Sequence, residues 1–186
     1  MAASMSLPDI DEACSSNFAY RDFIQCSETW WRTRVDNVPR QAATYAAMRQ
    51  MADSILEPLS CQFVKPRLTY AFSSSALVRL LRRQSFPNVT PTGDQHASCE
   101  LNRNGSPICD RLGIAVDLYV PGVGSLEIAR WLMQHTPFDR RYFYSDHRPF
   151  HVSIGPQNNR SIVEMRGYKG GRHQPHNTSI EKFPMR

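Results

Sequence analysis

The sequence predicts an α+β fold, with N-terminal helices packed on a small antiparallel sheet. Three observations lead there. Apolar residues recur at helical spacing in the first third of the chain, two-residue alternation takes over from Arg67 onward, and a second amphipathic helix precedes a closing hairpin.

Taken in order, residues 1–16 read as a loose lead-in. From Asn17, a helix-capping residue type, Phe18, Phe23, Ile24, Trp30 and Trp31 offer apolar surface for one helix or two short ones. Asn37-Val38-Pro39 breaks the chain, and Pro39 suits the first turn of the next helix. Thr44, Met48, Met51, Ile55 and Leu59 then recur at intervals of four, three, four and four, which draws one buried stripe along a helix ending near Pro58. Arg67–Phe72 alternates like a strand, the serines at 73–75 cap a helix from Ala76 to Arg83, and 85–93 is a loop by its Pro, Asn and Gly content.

Strand signals return over Ala97–Leu101 and Pro107–Val120, separated by Asn-Gly turn chemistry. Ser125 is placed to cap a helix whose Leu126, Ala129, Leu132 and Met133 share a face, and Pro137 ends it. Arg141–Tyr144 and Phe150–Ile154 read as a hairpin, with Ser161–Met165 as a last strand. Residues 17–165 therefore form one domain, and 166–186, lacking apolar periodicity, form a basic, flexible tail.

Composition narrows the class. A 186-residue chain with 41% hydrophobic residues can bury a core unaided, and no apolar run approaches the ~18 residues of a membrane span. No basic n-region and apolar h-region mark a secretory signal, so the reading is a soluble protein that is not secreted by that route. Five cysteines without a CxxC pair argue for reduced thiols rather than a disulfide scaffold or a cysteine-built metal knuckle. A net charge of +5 favours an anionic partner, for which the basic tail is the natural contact, nucleic acid among the options.

The residues that carry chemistry lie between Asp94 and His151. Asp117 sits inside the apolar run Ile114–Tyr119, where a carboxylate is costly unless a cation compensates it. His151 lies in a strand whose Phe150, Val152 and Ile154 point one way while His151 and Ser153 point the other. With His96, which follows Asp94-Gln95, these make three candidate protein ligands for one zinc ion, the number a catalytic zinc takes while keeping a position open.

The order of these motifs resembles the zinc D-alanyl-D-alanine carboxypeptidases and related peptidoglycan peptidases, whose fold is shared with the Hedgehog signalling domain. Their pattern is S-x-H-x-x-G-x-A-x-D followed by a helix and a hairpin bearing the last histidine. Asp94-Gln95-His96 resembles the histidine portion, Gly113-Ile114-Ala115-Val116-Asp117 the G-x-A-x-D portion and Phe150-His151-Val152 the closing strand. Upstream, Leu68–Ser74 resembles the strand that precedes the site, and the likeness spans roughly residues 17–155. It implies a zinc-dependent peptidase that cuts short cell-wall peptides containing D residues and, without a secretory signal, a cytoplasmic or virion-associated protein.

Three departures from the pattern matter. His96 and Asp117 are twenty-one apart instead of seven, so 97–112 is expected to be an inserted hairpin that keeps both ends in place. The ungapped alternative puts Asp110 in place of His96 and makes an oxygen-rich site less suited to zinc. Ser73 stands where the family has a substrate-steadying arginine, leaving Arg111 or Arg148 to substitute. No Glu-x-x-His precedes His151, so the resemblance leaves Asp146 or His147 as the general base. These departures keep a second reading open: a binding or assembly module, such as a phage virion component, that retains the fold without hydrolysis.

Overall fold

The computed structural model describes residues 6–84, 94–167, 173–179 and 182–183. Among the described residues, six α-helices accompany one six-stranded sheet. The helices are α1 (Tyr20–Ile24), α2 (Glu28–Thr33), α3 (Ala42–Met51), α4 (Glu57–Gln62), α5 (Ser75–Gln84) and α6 (Ser125–His135). The strands are β1 (Arg67–Tyr70), β2 (Ile114–Tyr119), β3 (Arg140–Phe143), β4 (Phe150–Ile154), β5 (Ser161–Gly167) and β6 (His173–Thr178), in the order β1-β2-β4-β3-β5-β6. The expected loop over 85–93 lies outside the described residues.

The class is α+β as predicted, but the sheet is mixed. Four of its neighbour pairs are antiparallel, while β3 and β5 run parallel. The cause is topological: β4 returns between β2 and β3, so the chain must pass to the far side of β3, where it arrives in the same direction as β3.

The predicted helical stripe is the spine of the core. Thr44, Met48, Met51, Ile55 and Leu59 are all fully buried, and burial of each of the large apolar side chains contributes about 1.5–3 kcal/mol. The helix does not end at Pro58. A π-helical turn over Ala52–Leu56 joins α3 to α4, with the Glu57 N–H reaching the Ala52 carbonyl and Pro58 in the first turn of α4. A proline ring crowds the turn before it and has no N–H to give, and the widened turn makes room for it while keeping the stripe on one face.

Asn37, at the predicted break, holds the helical layer against β1. Its amide donates to the carbonyls of Ile24 (2.7 Å) and Phe72 (3.0 Å) and accepts the N–H of Ser74 (2.8 Å). Ser74 in turn is the serine that caps α5, accepting the Leu77 N–H.

Near both ends, the described residues make more structure than their composition predicts. The lead-in packs: Cys14 is buried, Asp11 pairs with Arg21, and the Glu57 carboxylate accepts the Ser15 hydroxyl, the Asn17 N–H and the Asn17 amide at 2.6–2.7 Å. Asn17 therefore serves Glu57 and caps no helix; α1 starts three residues later, where Asp22 accepts the Ala19 N–H. In the segment expected to be a flexible tail, Arg166 and Gly167 complete β5, and β6 pairs with it from Ile162↔Thr178 to Gly167↔His173. Backbone pairing needs no apolar side chains, so a polar segment can form this strand. Phe183 returns to the core against Phe143, ring centroids 5.5 Å apart. All five cysteines are free, as expected, and no helix among the described residues is long and apolar enough to cross a membrane.

Glu57 gives the fold an acid-sensitive joint. Burial pushes its carboxyl up, but the Ser15 and Asn17 hydrogen bonds and the Lys65 charge outweigh that and hold it below the ordinary 4.5. A carboxyl whose folded pKa is depressed contributes stability that is complete above its unfolded pKa and is lost as pH falls through the folded one. Glu57→Gln is therefore expected to lower the urea midpoint at neutral pH, by about 1 kcal/mol in unfolding free energy. The gap from wild type should close in urea titrations at pH ~3.

Candidate metal centre

One row of side chains crosses four strands. Tyr70 on β1 pairs with Asp117 on β2, Asp117 with His151 on β4, and His151 with Tyr142 on β3. Directly opposed residues share a face, so period-two alternation sends this row to one side of the sheet. Val116, Leu118, Phe150 and Val152 go to the other, where they are buried in the core. The same alternation makes β2 and β4 stable and puts a carboxylate beside an imidazole.

His96 arrives from outside the sheet, on a single 3₁₀ turn over Gln95–Ala97 capped by the Asp94 carboxylate (3.0 Å to the His96 N–H). Gln95 pins that turn: its amide donates to the carbonyls of Leu112 and Ile154 and accepts the Ser153 hydroxyl at 2.7 Å. Ser98 donates to the Gly113 carbonyl at 2.6 Å. Gly113 has φ +72°, and a Cβ there would run into the Ile154 carbonyl, so only glycine lets the chain enter β2 beside β4.

The segment from Ala97 to Leu112 is less regular than the expected hairpin. Its pairing is a single bridge, Leu101↔Pro107, around the Asn102–Ser106 turn. It is held instead by Glu100, which is buried and accepts the N–H groups of Arg40 and Gln41 and the Thr44 hydroxyl at 2.9–3.2 Å, meeting the positive end of α3. Anchored this way, the segment brings both of its ends to the site.

The imidazoles of His96 and His151 and the Asp117 carboxylate offer ligand atoms that all lie within 4.8 Å of one another. His96 is buried, and its Nδ1 is 2.7 Å from the Ala71 carbonyl. A carbonyl can only accept, so Nδ1 carries the proton and the Nε2 lone pair faces Asp117 Oδ1, 3.7 Å away. The same Oδ1 accepts His151 Nδ1–H at 2.7 Å. Burial pushes the Asp117 carboxyl up, but the His151 hydrogen bond and the electrostatic influence of the two neighbouring imidazoles outweigh it and hold the carboxyl below its usual range. An anionic oxygen, two imidazole nitrogens and a backbone carbonyl fixing one ring's tautomer form a group that can hold a metal ion.

Of the two candidates for the first ligand, His96 joins this group, whereas Asp110 is exposed on the surface loop. Ser73 is buried alongside: its N–H donates to the His96 carbonyl (2.9 Å) and its hydroxyl to the Tyr70 phenol (2.5 Å). Asp146 is exposed in the β3–β4 turn, where its Oδ1 accepts the Leu126 N–H at 2.9 Å; it caps α6, the role expected of Ser125. His147 and Arg148 are exposed in the same turn, and the Arg148 carbonyl accepts the Ser125 hydroxyl. Arg111 is half-buried before β2, with its Nε lacking a hydrogen-bond partner among the described residues.

Three tyrosines complete the surroundings and were not singled out from sequence. Tyr70 sits edge-on to His96 (centroids 4.7 Å) and Tyr142 edge-on to His151 (5.0 Å). Burial, then the Asp117 charge, pushes the Tyr144 phenol up to about 12, so Tyr144 stays protonated near the carboxylate. The signal available was the alternation in Tyr142-Phe143-Tyr144, which puts both tyrosines on the face of His151.

Protein loaded with zinc and dialysed is expected to retain about one ion per chain by elemental analysis. His151→Ala and Asp117→Asn should each weaken the apparent affinity by about 100-fold or more. Retention should also fall on acidification, because protons compete with the metal for the imidazoles. Set beside known protein families, curated proteins and solved structures, the chain finds no match in any of the three.

Proposed function

We propose that the protein is a zinc-dependent peptidase of the Hedgehog/DD-peptidase kind, acting on short cell-wall peptides that contain D residues. The convergence of His96, Asp117 and His151, in the motif order that the resemblance predicts, carries this reading. Two imidazoles with one carboxylate suit zinc better than calcium or magnesium, which favour all-oxygen sets. Zinc held there supplies Lewis acidity, polarising a carbonyl and bringing the pKa of a water molecule toward neutrality.

The chain's own residues do the rest. The Ala71 carbonyl keeps His96 in the tautomer with Nε2 free, and Asp117 keeps the site anionic enough to offset the cation. Tyr70 and Tyr142 stand at the two ends of the row, their rings set at steep angles against His96 and His151. We assign proton transfer to His147, since the Asp146 carboxylate is engaged at the start of α6. That engagement, with the neutral Ser73, also favours the second reading, a binding or assembly module that keeps the site without turnover.

Digestion of purified muropeptides followed by mass spectrometry separates the two. The peptidase reading expects cleavage that is abolished in Asp117→Ala and reduced by about 100-fold in His147→Ala at unchanged zinc content. Full zinc occupancy with intact muropeptides selects the binding module. No zinc under any loading condition removes the peptidase reading.

A further inference from the structure

Two helices, α2 and α5, expose aromatic and cationic groups that the metal row does not use. Trp31, on α2, is 57% exposed, more than any other large apolar side chain among the described residues. It meets Trp30 edge-on, with ring centroids 5.3 Å apart. Arg34 braces the pair. It ends α2 in the left-handed conformation, φ +52°, so that its N–H returns to the Trp30 carbonyl and its guanidinium lies 4.4 Å over Trp30 and 4.2 Å over Trp31. A planar guanidinium on an indole is a favourable cation–π contact, and it holds the aromatic surface in place while much of the Trp31 ring still meets solvent.

Charge comes from α5. Leu77 and Leu81 are buried, and Arg79 and Arg83, each two residues further on and one turn apart, are exposed on the opposite side of the helix. The helix has no acidic residue, and neither Arg79 nor Arg83 pairs with a carboxylate among the described residues. The carboxylates of α2 and the segment after it are engaged: Glu28 pairs with Arg32, and Asp36 faces Arg40 at 4.0 Å. The two helices adjoin. Ser74, which caps α5, donates its hydroxyl to the Asp36 carbonyl and its N–H to the Asn37 side chain, both at 2.8 Å. Arg34 is two residues before Asp36, at most about 7 Å of chain, and Arg79 stands about 8 Å along α5 from Ser74.

An open indole beside arginines without counter-charges suits a ligand that is anionic and also carries flat apolar rings. Single-stranded nucleic acid is both, since its bases stack on aromatic side chains and its phosphates meet arginines. A duplex keeps its base faces stacked inside, which leaves Trp31 nothing to receive. An anionic bilayer takes up helices through an apolar face, and that of α5 is already in the core.

We infer that Trp31, braced by Arg34, and the Arg79 and Arg83 side of α5 form a binding surface for single-stranded nucleic acid, with a base stacked on the indole and the phosphates lying along α5. The surface uses no residue of the metal row, so it stands with either reading of that centre.

The test is titration of the full-length protein with labelled oligothymidylate and oligouridylate of about 20 nucleotides and with a duplex of the same length, read by anisotropy, beside co-sedimentation with phosphatidylglycerol vesicles. At ~50 mM salt a single strand is expected to bind about tenfold or more tighter than the duplex and to quench tryptophan fluorescence. Trp31→Ala should lose that quenching and about tenfold in affinity, and Trp31→Phe should keep part of the affinity. Replacing Arg79 and Arg83 together by Gln should flatten the slope of log affinity against log salt by about 1.4, two phosphate contacts at about 0.7 each. All three positions are exposed, so melting temperatures should not change; if Trp31→Ala does not fold, Trp31→Phe and the arginine variant decide. A preference between the two strands tells DNA from RNA as the source, and either result supports the surface. Absent binding of both strands overturns it, as does duplex or vesicle binding as tight as that of a single strand. Wild-type affinity and salt slope in the Trp31 and arginine variants overturn it too and place the contact elsewhere.

Discussion

A carboxylate in the middle of an apolar strand is the constraint from which the rest of the structure follows. Asp117 has to interrupt a strand whose neighbours are fully buried, and an ionised group there is tolerated only with charge and hydrogen bonds around it. His151 donates its hydrogen bond from the paired strand, and His96 brings a second imidazole from a loop that the sheet does not contain. The two contributions differ in origin. His151 is placed by register alone, since a slip of one residue would send it to the core face. His96 is placed by a set of tertiary bonds through Gln95, Ser98 and Asp94, each of which fixes an otherwise irregular turn.

Those bonds explain how a segment of sixteen residues, 97–112, can separate two members of one site without spoiling it. What the site needs is the position of the segment's two ends, and the structure ties both. Ser98 binds Gly113 across the base of the loop, and Glu100 is carried off to the start of α3. The segment therefore doubles as a strut between the helical layer and the sheet, so the geometry of the centre depends on the packing of α3 as well as on strand pairing.

Much of this was readable from residues alone. The stripe from Thr44 to Leu59 announced its helix because five buried positions repeat at one spacing, and β2 and β4 announced themselves by alternation, which at once placed Asp117 and His151 off the core. What stayed hidden depends on partners far away in sequence. Residues of the lead-in are held by Glu57, some forty residues on, and Asp146 is taken up by a helix that begins twenty-one residues before it. The parallel pairing of β3 with β5 follows from which side of a hairpin the chain passes, and side-chain patterns carry no record of that. β6 is held through its backbone, so its polar composition concealed it. Tyr142 was visible as a strand residue, yet its relation to His151 needed the register.

The two outermost strands have a bearing on how molecules of this protein meet one another. A sheet border with free N–H and C=O groups can recruit a strand from a neighbour and seed aggregates. One border here is β1, four residues long with an irregular register between Leu68 and Tyr70, which bends the ladder a newcomer would have to follow. The other is β6, where Pro175 has no N–H to offer and interrupts the row of donors. Without the C-terminal segment, β5 would be exposed, seven residues long with Ile162, Val163 and Met165 along it, a far better template. The polar strand β6 thus covers an apolar border with one that is a poorer template for a further strand.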